Sequence, residues 1–322
     1  MPLDLYTKHG LYCRVPETKD EDDNPKFTLP DETDQAKKFY LDNGFVVIRK
    51  IISNENCDEF INAFQNEVKP YKGYLYRKDS TKLEKNIFNK QNCIMNPILN
   101  IHSLNSKYFK NLRTNFEKII ASNSLLANFL SKVIFDIPAI VQSIYFEGNT
   151  TTWEHQDSYY LDDEETGNLI GAWLALEDIK ADAGRFFVCN KSHLYDYSSM
   201  DDKNIVTKNH YQYVKNIVKL AKENNFKLCA PKLDKGDVLF WNSLTIHGSM
   251  ESKNSPHSRS SITFHVIKSK SKFKVFRNIL RKLKYEKKFR FLIYRPKDQN
   301  KIANKVVYLI EKKFSSIFYK LK

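Results

Sequence analysis

The chain has no CxxC pair, and its five cysteines (Cys13, Cys57, Cys93, Cys189 and Cys229) are odd in number and widely spread. That pattern argues against a disulfide framework and against a thiolate zinc site, and leaves reduced cytoplasmic thiols as the reading. No run approaches the ~20 apolar residues of a membrane span. The amino terminus, Met1-Pro2-Leu3-Asp4-Leu5-Tyr6, lacks the basic start and long apolar core of a signal peptide. The expectation is a soluble, unexported protein. Internal repeats are missing as well.

What is there is enough to build a large core. Of 322 residues 41% are apolar and 13% aromatic, which argues against disorder as the main state. The formal charge of +14 is uneven: from Lys268 to Lys322 there are 19 Lys and Arg against three acids, so the first 267 residues are close to neutral. The basic character belongs to the tail, and no nucleic-acid module accompanies it, so nucleic acid is not the expected partner.

Residues 1–30 are polar and acidic, with Asp20-Glu21-Asp22-Asp23, and read as a loose lead-in. Asp31 to Asp34 offer caps for a helix ending near Asn43-Gly44, and Phe45 to Arg49 read as a strand. Ser53 to Asn56 open a second helix carrying Cys57, Phe60, Ile61 and Phe64 at helical spacing. The text from Lys69 to Asn100 reads as irregular, and Ser106 to Val133 as helical. After Ile137-Pro138 the period changes to short β-rich runs at 141–146, 169–176, 185–189, 238–241 and 262–267, interrupted by a helix over 208–224. Helices first and many short strands after predict a mainly β core with flanking helices, a sandwich or a barrel.

Within this β-rich half, His155 and Asp157 stand two apart in Trp153 to Tyr160, which puts both side chains on one face of a strand. A second histidine, His247, follows the Val238 to Trp241 strand. Two histidines and one carboxylate make the facial triad of non-haem iron(II) oxygenases, with open positions for co-substrate and dioxygen. Twelve residues beyond His247, Arg259 shares a strand face with Ser261, a guanidinium fork and a hydroxyl suited to a dicarboxylate.

From about Ala36 to Ile267 the chain resembles the phytanoyl-CoA dioxygenase family of Fe(II)- and 2-oxoglutarate-dependent oxygenases. The resemblance is carried by Phe39 to Ile48, by His155-Gln156-Asp157, by Ala172 to Asp178, by Asn190-Lys191-Ser192-His193 with Lys where the family has Gly, and by His247 with Arg259. Five elements in the family's order are a far stronger signal than one HxD. The resemblance implies a double-stranded β-helix (a cupin-like jelly roll) over 31–267 and Fe(II) on His155, Asp157 and His247. It implies 2-oxoglutarate on Arg259, with Ser249 and Trp173 helping, and the Ser261 hydroxyl on the Arg259 strand face is a further candidate for the same co-substrate. Gln156 and Gln142 are further candidates for the co-substrate or substrate pocket. It also implies dioxygen-dependent conversion of 2-oxoglutarate to succinate with hydroxylation of a small metabolite or of a lipid or glycan intermediate. Related halogenases lack the carboxylate of the triad, so Asp157 predicts oxygenation.

Other readings stand beside these. Trp173 also suits core packing, Tyr159 and Tyr160 suit either a substrate cavity or an aromatic core, and His193 and His265 read as structural, His265 lying beyond the pocket. The segment 268–322 carries two apolar stripes, Phe273 to Leu283 and Ile302 to Phe318, and is expected to form basic amphipathic helices that pack on the domain or lie on an anionic membrane surface. A catalytically silent jelly roll serving as a binding scaffold is the alternative in a different class. The oligomeric state is not legible.

Overall fold

Eight strands lie side by side in the order Glu286–Lys288, Phe291–Ile293, Pro138–Phe146, Ser261–Lys268, Ile170–Ala175, Val238–Asn242, Phe45–Ile48 and Lys26–Phe27, and Ile98–Leu99 adds a ninth against Pro138–Phe146. The computed structural model that shows this describes residues 1–148, 151–197, 210–251, 255–276 and 278–313. Two three-stranded sheets and two two-stranded ones, Leu3–Tyr6 with Tyr12–Val15 and Leu75–Tyr76 with Leu83–Glu84, accompany the main sheet among the described residues. One three-stranded sheet holds Leu228–Cys229, Phe186–Cys189 and His247–Ser249, and the other Ile279–Arg281, Phe273–Val275 and Leu161–Asp163. The result is the jelly roll with flanking helices that the sequence predicts.

The central strands are buried on both faces, and their alternation divides two cores. Val46, Ile48, Leu174, Phe240, Ile262 and Phe264 point one way, into a core shared with the helices. Phe45, Val47, Trp173, Leu239 and Trp241 point the other way and meet Phe186 and Val188 of the facing sheet. Helix Asn54–Ala63 begins at Ser53, whose hydroxyl accepts the Asn56 N–H at 3.2 Å, and helix Ser124–Ile134 begins at Asn123, which accepts from Leu126 at 2.9 Å. Helix Thr33–Asn43 ends on Gly44 at φ 80°, the left-handed stop that glycine supplies without strain. The expected helix over 208–224 is present as His210–Glu223, its first two residues lying outside the described ones. All five cysteines are buried and free. Among the described residues no helix is long and apolar enough to cross a membrane.

Both ends of the chain differ from expectation. Residues 1–30 are no loose lead-in: Leu3–Tyr6 and Tyr12–Val15 form an antiparallel hairpin, and Lys26–Phe27 joins the main sheet in parallel. The signal was a period of two, since Leu11, Cys13 and Val15 are buried against helix His210–Glu223 while Tyr12 and Arg14 face out. The stripe from Phe273 to Leu283 is a β-hairpin and not a helix. Phe273 and Val275 alternate with lysines, so two periods were open to that text, and pairing with Leu161–Asp163 selects the strand. Among the described residues of this segment Ile302–Lys313 is the one helix, and Phe314, Ile317 and Phe318 of the second stripe lie outside them. Nor does a structural unit end at 267, because Phe291 and Ile293 are fully buried in the main core and their strand pairs with Pro138–Phe146.

His102 fastens this returning segment. Its Nε2 donates to the Tyr294 carbonyl at 2.8 Å and its Nδ1 lies 2.5 Å from the Ser143 hydroxyl. Burial pulls its pKa from 6.5 down to about 3, so the folded ring is neutral. The unfolded chain takes up that proton near pH 6.5, so stability rises with pH between about 3 and 6.5 and is lost on acidification. Going from pH 7 to pH 5 is expected to cost about 2 kcal/mol through this residue. Urea denaturation at the two pH values checks it, with His102→Gln expected to remove that part of the pH dependence.

Candidate active site

Two backbone segments from different parts of the chain meet as an isolated antiparallel bridge: the His155 N–H donates to the His247 carbonyl at 3.0 Å and the His247 N–H to the His155 carbonyl at 2.9 Å. Gly248 permits that approach, since a Cβ there would sit 2.8 Å from the carbonyl oxygens of Thr152 and Trp153. The bridge brings the two imidazole rings to a centroid separation of 4.2 Å. His155 Nδ1 donates to the Trp153 carbonyl at 2.8 Å and His247 Nδ1 to the Thr245 carbonyl at 2.9 Å. Those carbonyls favour the tautomer with its proton on Nδ1 and leave Nε2 of each ring as the metal-facing nitrogen.

Asp157 lies opposite, with its Oδ1 3.6 Å from each Nε2, and the three ligand atoms fall within 4.8 Å of one another. Its other oxygen is occupied by the protein: Oδ2 accepts from Trp241 Nε1 at 2.8 Å and lies 3.3 Å from His265 Nε2. Burial opposes the Asp157 charge, but His247, His265 and the surrounding hydrogen bonds outweigh it and hold the carboxyl well below the usual carboxylate range. Burial takes His247 the other way, down to about 3. An ionised carboxylate and neutral imidazoles are the protonation states a divalent cation requires. These three residues form a donor set of one oxygen and two nitrogens that can hold such an ion.

The triad lies in a cavity of about 610 Å³. Arg259 lines it, buried, with one terminal nitrogen donating to the Gly184 carbonyl at 2.5 Å and Nε without a partner. Burial lowers its pKa to about 10, against the opposing pull of Asp79, so it remains a cation at neutral pH. Trp173 and Ser249 also line the cavity: Trp173 stacks on Phe186 within the inter-sheet core, and Ser249 accepts the Thr152 N–H at 2.8 Å. Gln142 lines it too, directly across the strand pair from His265.

Two expected residues are elsewhere. Gln156 faces away, its amide donating to the carbonyls of Tyr195 and Leu244 at 2.6 Å each and accepting from Tyr197, because it alternates with its metal-side neighbours. Ser261 turns back onto the Arg259 carbonyl at 3.0 Å, and the hydroxyl lining the cavity is that of Thr263. His265, expected beyond the pocket, is inside it. Strand parity with Arg259 was the available signal for both Thr263 and His265. Tyr160 lines the cavity, whereas Tyr159 stacks on Tyr213 at 3.6 Å in the core. His193 is structural, donating to the Leu41 carbonyl at 3.0 Å. No sequence signal marked Trp241 as the indole on Asp157, nor Lys78 and His210, which lie against Trp153 at the cavity wall.

The amino-terminal hairpin reaches this site. The fully buried Glu154 carboxylate, next to His155, accepts from the Thr7 hydroxyl, from the His9 N–H at 3.0 Å and from the His9 ring at 2.5 Å. Thr7 also bridges Met250, three residues beyond His247.

The family model described as phytanoyl-CoA dioxygenase (PhyH) matches residues 40–261, more than two thirds of the chain. The chain belongs to the phytanoyl-CoA dioxygenase family. A bovine (Bos taurus) relative, the peroxisomal phytanoyl-CoA dioxygenase, is 24% identical over 236 residues, covering 68% of this chain and 64% of that protein, so the chain spans less than two thirds of its length. Solved structures with the same fold include the non-haem α-ketoglutarate-dependent carbocyclase SnoK of nogalamycin biosynthesis. It is 15% identical with a TM-score of 0.54, over 74% of this chain and 85% of that one. Another is EctD from S. alaskensis with 2-oxoglutarate and 5-hydroxyectoine, 16% identical with a TM-score of 0.54, over 80% and 86%.

Gly171 is the cross-strand partner of Trp241, and a Cβ added there would run into the indole. Gly171→Ala is therefore expected to push the indole off Asp157 and weaken metal binding about 10- to 100-fold, as Trp241→Phe should by removing the donor. Cobalt(II) titration followed by visible absorption measures this, with thermal melts to confirm that both variants fold.

Proposed function

We propose that this protein is an iron(II)- and 2-oxoglutarate-dependent oxygenase that hydroxylates a C–H bond of a small organic acceptor. The observation that carries the reading is the pairing, in one cavity, of the His155, Asp157 and His247 donor set with a buried, partly unsatisfied Arg259. A dicarboxylate held between the two would meet a metal at its keto-acid end and a fixed guanidinium at the other, the geometry that bidentate carboxylate recognition uses. Iron(II) bound there supplies, with dioxygen and 2-oxoglutarate, an oxidant able to take hydrogen from an unactivated carbon. The balance is one 2-oxoglutarate, one dioxygen and R–H giving succinate, carbon dioxide and R–OH.

The chain's own residues bind and orient. Trp241 and His265 hold the Asp157 carboxylate so that one oxygen points at the metal position. Ser249, Thr263 and Gln142 offer polar contacts along the cavity, and Ile144, Phe146, Leu161 and Phe273 give it apolar walls that keep water from the reacting carbon. Asp157 occupies the ligand position that a halide would need, which supports oxygenation over halogenation. The same fold is found in the carbocyclase SnoK and in the epimerase SnoN, so the fold by itself does not select hydroxylation. Hydroxylation is thus the specific part of the proposal.

The test is iron-dependent succinate release from 2-oxoglutarate, screened against candidate acceptors. His155→Ala is expected to abolish it. Arg259→Ala should raise the KM for 2-oxoglutarate about 100-fold with a smaller effect on kcat, the loss of one charge-assisted pair, and Arg259→Lys should restore only part of it. No iron or 2-oxoglutarate binding at all would make the jelly roll a silent scaffold, and a chlorinated product in the presence of chloride would overturn the oxygenation reading.

A further inference from the structure

The hairpin of Phe273–Val275 and Ile279–Arg281 is attached directly to the site, because Phe273–Val275 pairs with Leu161–Asp163, the strand that begins four residues after Asp157. Phe273 and Val275 face the cavity and Phe276 lines its mouth. Phe276 is nevertheless 46% exposed, and beside it Ile279 and Leu280 are 46% and 45% exposed. Phe276 and, on the two faces of the returning strand, Ile279 and Leu280 are thus three half-exposed apolar side chains at the tip of one hairpin. Scattered exposed apolar residues need no explanation, but a cluster on one hairpin tip does.

The charge around the tip says what covers it. Between Lys268 and Lys288 the chain has ten basic residues and one acid. Lys268, Lys272 and Lys288 are paired with acids, and Lys274 donates to Thr166. Arg281, Lys282 and Lys284 are exposed, and no ion pair to them occurs among the described residues. A second copy of the chain is a poor occupant, because a two-fold contact through this tip would set the same cations against one another. Arg281 pairs with Phe273 at the base of the hairpin and Lys282 and Lys284 follow it, so exposed cations stand behind an apolar tip, an order that suits the interface of a bilayer carrying anionic headgroups.

We infer that the Phe273–Arg281 hairpin docks this protein on an anionic lipid bilayer, with the mouth of the cavity turned toward the membrane surface. The docking does not depend on the proposed chemistry, and it replaces helices of the tail with a specific strand pair as the contact element. Phe276 is both wall and rim, so an acceptor leaving the headgroup region would reach the cavity without crossing bulk water.

Cosedimentation of the full chain with phosphatidylcholine vesicles, with and without phosphatidylserine, tests the inference. The full chain is expected to pellet with the anionic vesicles and to remain largely in solution with the neutral ones. Phe276→Asp combined with Ile279→Asp should reduce binding about tenfold or more, and Lys282→Ala combined with Lys284→Ala should reduce it by about fivefold for each cation removed. Because all four side chains are exposed, the melting temperatures should match the parent. Equal sedimentation of parent and variants, or no sedimentation of the parent, overturns the inference. So does a concentration-dependent dimer in ultracentrifugation that the double Asp variant abolishes, since that outcome assigns the tip to a second copy. Succinate release, measured without vesicles, reports separately on the activity.

Discussion

The reciprocal backbone hydrogen bonds between His155 and His247 are the constraint on which the rest of the site depends. They join the segment entering from the Pro138–Phe146 strand to the strand His247–Ser249 more than ninety residues later, and they set the imidazole separation before any side chain is considered. The ring tautomers follow from the same backbone, since each Nδ1 donates to a carbonyl two residues earlier in its own segment. Only the carboxylate is positioned by side chains from elsewhere, and the Trp241 indole and His265 supply that from the two strands that flank Ile170–Ala175 in the main sheet. A site built this way has its geometry distributed over three strands and one bridge, so it exists only once the two sheets have closed on each other.

How much of this was legible depended on whether the information was periodic. The change of period after Ile137 was enough for a β core with flanking helices, the spacing of His155, Asp157 and His247 suggested the triad, and the resemblance to the family narrowed the core to a jelly roll. The same two-residue arithmetic, carried one step further, excludes Gln156 from the cavity and admits Thr263 and His265. The chain ends were misread for a physical reason. Segments such as Phe273 to Leu283 hold apolar residues compatible with both helical and strand spacing, and what decides between them is a partner strand at Leu161–Asp163 that local text does not reveal. Trp241 was invisible as a functional residue because an indole in an apolar strand reads as core, and it is core except for one N–H.

The residues outside 40–261 are part of the working structure. Thr7 and His9 hold the buried Glu154 beside the first ligand, and Thr7 also bridges the strand just past the second. At the other end Phe291–Ile293 completes an edge of the main sheet, and Arg295 ties that edge to Glu117 and to the His102 carbonyl. An unpaired edge on Pro138–Phe146 would expose the strand that flanks the cavity, so covering it with the chain's own return both closes the core and protects the edge. The family's common region supplies the triad, and this chain's flanking segments fasten the strands that carry it.

Arg259 supplies the strongest reason to regard the cavity as built for a bound anion. A guanidinium buried with a donor unsatisfied is costly, about 1–3 kcal/mol for the missing bond alone, and no carboxylate among the described residues pairs with it directly. Arg77 and Arg185 are also buried with an Nε unpartnered, but each spends both terminal nitrogens on carbonyl or amide oxygens away from the cavity, whereas Arg259 lines the cavity that holds the triad. Its nearest help is a carbonyl at Gly184 and the Phe146 ring, 5.2 Å from the guanidinium carbon. Such a group persists where its unmet electrostatic demand is satisfied by a ligand. The apolar surroundings that make the empty state expensive are the same ones that make an ion pair with a dicarboxylate strong once water is excluded.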